Sequence, residues 1–120
     1  MNTNHINPED NIIHQYYDGD QTYETVHAIV EQTIQFADEL KDRDKKVFIL
    51  TNITRLGDVD DGGKKAAIGA LSLLHFDKLA LVGSTVQLPF ILNILLPSAT
   101  QNHVAHFNNE TDALAWLQNT

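Results

Sequence analysis

The chain contains no cysteine, which excludes a disulfide framework, a thiol nucleophile and a thiolate metal site. Basic residues are scarce: eight Lys and Arg stand against 16 Asp and Glu, for a formal charge of -8. Such a field repels phosphate backbones and anionic lipid head groups, so no nucleic-acid partner is expected. Long apolar runs are missing as well. The longest, Val86 to Leu96, falls short of the roughly 20 residues that a membrane-spanning helix needs. The first twenty residues hold no apolar core of a signal peptide, and a cytoplasmic location is expected. Serine occurs only at Ser72, Ser84 and Ser98, none of them in a nucleophile-elbow sequence.

What is present fits one α/β domain. At 120 residues, 42% hydrophobic and 20% charged, the chain has the size and composition of one globular core. Residues 1–11 are polar, carry Pro8 and show no period; they are expected to be a flexible lead-in to a single domain over 12–120. Ile12 to Tyr17 predicts a strand closed by a turn at Asp18-Gly19-Asp20. Apolar residues at Tyr23, Val26, Ile29, Val30, Phe36, Ala37 and Leu40 predict a helix over Thr22 to Asp42, capped by Asp20 or Thr22. Lys46 to Ile53 reads as a central parallel strand, because its nearly continuous apolar run needs cover on both faces. A loop, Thr54 to Asp60, precedes a helix from Asp61 to His75. Lys78 to Gly83 predicts a third strand, and a helix follows from Ser84 or Thr85 to Leu96, stopped by Pro97. His103 to Phe107 predicts a fourth strand, and Asn108-Asn109 caps a last helix with Ala113, Leu114, Trp116 and Leu117 on the core. Four strand-helix units in this order predict a mostly parallel sheet with right-handed crossovers and helices on its faces.

The order of these units, the loop Arg55 to Gly63 (RLGDVDDGG) and the ending Phe107 to Leu117 (FNNETDALAWL) resemble the SpoIIAA-like, or STAS/SEC14-type, domain family. The resemblance covers residues 11 to 118 and implies a superhelix of strand-helix turns. In the anti-anti-sigma branch of that family, an Asp-Ser step at the start of the second helix carries a phosphorylatable serine. The matching stretch here is Asp60-Asp61-Gly62-Gly63, which has no hydroxyl. Asp61 then holds the switch position with about one permanent charge against roughly two for a phosphate, a partial mimic.

Other candidate chemistry is thin. Asp58, Asp60 and Asp61 form the densest acidic cluster, and hard cations prefer oxygen ligands. Counted from Asp58, however, Gly62 and Gly69 fall where a calcium loop needs side-chain ligands. Acids at a helix start are also what the helix dipole favours. Gly62 and Gly63 suggest a phosphate cradle only until the adjacent aspartates are considered. The six histidines, at positions 5, 14, 27, 75, 103 and 106, show no chelating spacing, and His103 and His106 point to opposite faces of a strand. No catalytic, cofactor or metal set emerges.

The third helix is unusual. Val86, Leu88, Phe90, Ile91, Leu92, Ile94, Leu95 and Leu96 nearly surround it, although a helix lying on a sheet needs one apolar stripe. Three readings follow: a deeply buried helix, an interface with a second copy or protein partner, or the wall of a pocket for a small apolar or lipid-like molecule. Leu88, Ile91, Leu92 and Leu95 are the candidate interface or pocket residues. The function expected is a non-enzymatic interaction or regulatory module that self-associates through residues 85–96 or docks to a protein partner; the alternative is a binder of an apolar ligand.

Overall fold

A computed structural model describes residues 1–95 and 104–119, with side chains for all of these except 71 and 72. The element order is β1 (Thr3–Ile6), β2 (Ile12–Gln21), α1 (Tyr23–Asp42), β3 (Phe48–Val59), α2 (Asp61–Leu73), β4 (Lys78–Val82), α3 (Leu88–Leu95), β5 (Val104–Phe107) and α4 (Glu110–Gln118). The five strands form one sheet in sequential order; β1 pairs antiparallel with β2, and the other neighbours are parallel. The parallel pairing of Phe48–Leu50 with Lys78–Ala80 is the one expected for central strands.

Several expectations about where elements begin and end need correction. The lead-in contains a strand: Thr3 to Ile6 pairs with Ile13 to Tyr16, so the sheet is mixed and has five strands rather than four. Its polar residues gave no hydrophobic period, but Asn7-Pro8 to Asn11 is turn chemistry, with Asn11 at φ 58°, and a four-residue edge strand needs little more than backbone pairing. Second, Asp18-Gly19-Asp20 does not end β2. Gly19 adopts φ +84° inside a strand that shifts register twice and continues to Gln21, as a bulge allows. Third, Thr54 to Val59 is a strand extension beside it, with Asp18 opposite Arg55 and Gln21 opposite Val59. Asp58 therefore sits on a strand. Leu96, Pro97, Ser98 and His103 lie outside the described residues.

The parallel connections step in one direction across the sheet, and right-handed crossovers of that kind put their helices on one face. Helices α1 and α3 pack with Ile13, Ile49, Leu79 and Leu81, whereas α4 covers the alternate residues Ile12, Leu50, Ala80 and Val82. Lys78 ties α4 down. Its ammonium donates to the Trp116 and Asn119 carbonyls, each at 3.0 Å, and lies 4.9 Å from the Trp116 ring centre. A cation there satisfies orphan carbonyls at a helix end. Two helix starts are capped by one of the two residues that the sequence offers for each: Thr22 accepts from the Thr25 amide and Asn109 from the Asp112 amide. The third helix begins at Leu88 rather than at Ser84 or Thr85, because a turn in which the Leu88 amide donates to the Thr85 carbonyl at 3.0 Å precedes it.

Candidate functional site

The acidic segment is built by the two extended strands. β2 and β3 run together as far as Gln21 and Val59, and the Asp60 amide donates to the Gln21 carbonyl at 3.1 Å. Asp60 is the N-cap of α2 and accepts from the Gly63 amide at 2.7 Å. Asp61 is the first helical residue. Asp58 lies near the end of β3, and its amide donates to the Asp20 carboxylate at 2.9 Å. All three acids are exposed, and among the described residues no three His, Asp or Glu are placed to share a metal ion. The geometry assigns Asp60 to the helix start, with Asp61 as an exposed carboxylate beside it in the first turn.

The second candidate group, on α3, turns inward. Residues 88, 91, 92 and 95 follow i, i+3, i+4, i+7, which is one stripe of a helix. Leu95 is 7% exposed, and Leu88, Ile91 and Leu92 are half-buried against the core around Ile49 and Leu81. Pro89 and Asn93 take the outer side. The impression of an all-round apolar helix came in part from Val86, which precedes α3 and is 84% exposed.

Beneath α3 lies a half-open chamber of about 110 Å³. Ile91, Ile94 and Leu95 form one wall, Ala70 of α2 and Leu74, the C-cap that follows it, form another, and Leu79 and Leu81 belong to the floor. Sequence reasoning missed its polar corner. Thr51 donates to Gln15 at 2.7 Å, Gln15 donates to Thr33 at 2.6 Å, and Asn4 donates to Thr33 at 2.8 Å. Gln15, Thr33 and Thr51 are all buried, so the network joins β2, β3 and α1 under apolar cover. A polar residue on the buried face of a strand was the available signal. Tyr17 also lines the chamber, and burial raises its phenol above the usual range.

On the opposite face the fold brings together histidines whose spacing showed no such pairing. His5 and His14 are cross-strand partners, with ring centres 5.2 Å apart and planes within 10°. His14 is 5% exposed, and its Nε2 lies 3.5 Å from the Asp10 carboxylate. Nearby, Tyr16 donates to Glu110 at 3.3 Å, and Asn52 donates to the other Glu110 oxygen at 2.8 Å. Burial first, then the charge of Glu110 and its hydrogen bond, push the Tyr16 phenol up to about 12.

Fold and site together define a small mixed α/β domain with three helices over one sheet face and a chamber beneath the third. Residues 12–118 match the SpoIIAA-like family, and the chain belongs to it. No curated protein matches. Among solved structures, an uncharacterized protein from the DUF3478 family with a SpoIIAA-like fold, from Shewanella loihica PV-4, is similar at a TM-score of 0.64 and 18% identity, over 98% of this chain and 92% of that one. The anti-sigma factor antagonist SpoIIAA in its unphosphorylated form is similar at a TM-score of 0.58 and 12% identity, over the full length of both chains. At these identities the likeness is one of fold.

Proposed function

We propose that this chain is a non-enzymatic regulatory module whose input is a small apolar molecule held beneath α3. The chamber carries the reading: α3 directs its apolar stripe inward, yet leaves space between Ile91, Leu95 and the sheet. An engineered apolar cavity of about 150 Å³ stays dry and binds benzene, so about 110 Å³ suits a ring or short alkyl group. A lipid chain requires α3 to move outward. Asp61 in place of the branch's serine supports regulation that needs no phosphoryl transfer at α2.

Native mass spectrometry of freshly purified protein, with thermal melts in benzene and indole, tests the reading. A co-purifying small molecule, or a rise in Tm that Leu95→Trp abolishes by filling the chamber, supports it, since a ligand selective for the folded state stabilises that state. An empty protein whose Tm neither compound changes overturns it.

The exposure of Val86 favours a second reading, self-association along the α3 side with Leu88 and Leu92 at the margin. Light scattering over a dilution series checks it. A parent that stays monomeric at high concentration removes it, and a dimer that Val86→Glu converts to folded monomer supports it.

A further inference from the structure

A groove of about 480 Å³ runs along the outer side of α1 and α2, separated from the chamber by Val30 and Ala70, which line both. Its floor on α2 is made of small residues, Ala66, Gly69 and Ala70. Apolar side chains also line it: Tyr23, 48% exposed, and Leu73, 65% exposed. Tyr23 meets the start of α2, where a Cβ on Gly62 would lie 3.2 Å from its own. With α2 13 residues long, about 20 Å at 1.5 Å per residue, the groove matches three to four turns of a docked helix.

The rim on α1 is acidic. Glu31 lines the groove, and Glu24 and Asp38 stand seven residues before and after it, all exposed. Seven-residue spacing keeps them on one side of the helix, with a drift of about 20° per step. Lys65 and His27 are the basic or titratable counterweights among the lining residues, and His27 already faces Glu31 at 3.1 Å. An apolar trough beside a line of carboxylates recognises an apolar stripe flanked by ammonium or guanidinium groups.

We propose that this groove docks a basic amphipathic helix of a partner protein. A second copy does not fit the chemistry. The chain carries -8, α3 has no charged residue and α4 is acidic, while the lysines at the start of α2 stand beside Asp60 and Asp61. None of its described helices presents an apolar stripe between basic flanks.

The test is fluorescence anisotropy with a labelled synthetic helix carrying Leu at i, i+3, i+4 and i+7 and Lys or Arg elsewhere. Its controls are a peptide of the same composition in scrambled order and one with Glu replacing the basic residues. The basic amphipathic peptide is expected to bind at least about tenfold more tightly than either control, a difference near 1.4 kcal/mol. Gly69→Leu fills the groove, and a Cβ at Gly69 meets nothing within 4 Å. That variant, and the combined Glu24→Gln, Glu31→Gln and Asp38→Asn variant, are each expected to weaken binding at least about tenfold. Circular dichroism and apolar-probe binding in the chamber should remain unchanged, which separates failure here from failure of the chamber reading. Equal binding of the scrambled peptide reduces the effect to bulk charge and overturns the proposal. So does unchanged binding by Gly69→Leu, and so does a parent dimer that Gly69→Leu dissociates, which would make a second copy the occupant.

Discussion

The Asp60 carboxylate sits 2.7 Å from the Gly63 amide, and this contact makes Asp60, rather than Asp61, the cap of α2. Asp60→Ala is expected to lower stability by ~1 kcal/mol. Asp61→Ala loses only a favourable charge near the helix start, ~0.3 kcal/mol. Urea unfolding of both variants reads the difference, and two melts like that of the parent would refute the capping role.

Gly83 follows β4 at φ +104°, and a Cβ there would fall 2.9 Å from the Thr54 amide nitrogen. Backbone strain and collision with main chain add, so Gly83→Ala should cost at least ~2 kcal/mol. An unfolding midpoint unchanged from the parent would mean that the strand ends relax apart.

Thr51 and Gln15 test the polar corner of the chamber. Thr51→Val keeps the shape but leaves the Gln15 carbonyl oxygen without its buried donor, at a cost of ~1 to 3 kcal/mol. If the variant is as stable as the parent, water has replaced the hydroxyl, and a structure of the variant would show it.

Leu95 and Val86 separate the buried stripe of α3 from the exposed segment that precedes it. Leu95→Ala is expected to lose ~2 to 5 kcal/mol, as a buried leucine does, whereas Val86→Glu should leave monomer stability within ~0.5 kcal/mol. Folded, stable protein from Leu95→Glu would instead place that side chain on an outer surface.

Alkaline stability should follow Tyr16 and Tyr17. Both phenols ionise at higher pH in the folded chain than the ordinary value of 10.0, Tyr16 at about 12. Their contribution is therefore complete below pH 10.0, the unfolded value, and is lost as pH rises from there through about 12 and on to the higher folded value of Tyr17. Urea melts against pH, with ultraviolet detection of phenolate, check the sign. A Tyr16→Phe, Tyr17→Phe variant whose stability falls as steeply as the parent's over that range would show that other groups control it.

The sequence alone determined that the parallel strands and the helices exist and in what order, and it narrowed two of the caps to a pair of candidates each, because these features are written in local terms. KVFILTNI is apolar on both faces, the stripe from Val26 to Leu40 has helical period, and Thr22 and Asn109 are short polar side chains at the right offset. Stripe and spacing also put Leu88, Ile91, Leu92 and Leu95 on one face, but not which way it turned. That depended on the sheet beneath and on α2 beside it, which are distant in sequence. The same holds for β1, whose four residues carry no period and become a strand through pairing with β2, and for the extensions of β2 and β3, each held by the other. His5 with His14, Gln15 with Thr51 and Thr33, and Glu31 with the groove it borders are likewise juxtapositions between elements. A local pattern records which face of an element is apolar, whereas a site arises from what several faces enclose, and only the tertiary structure decides that.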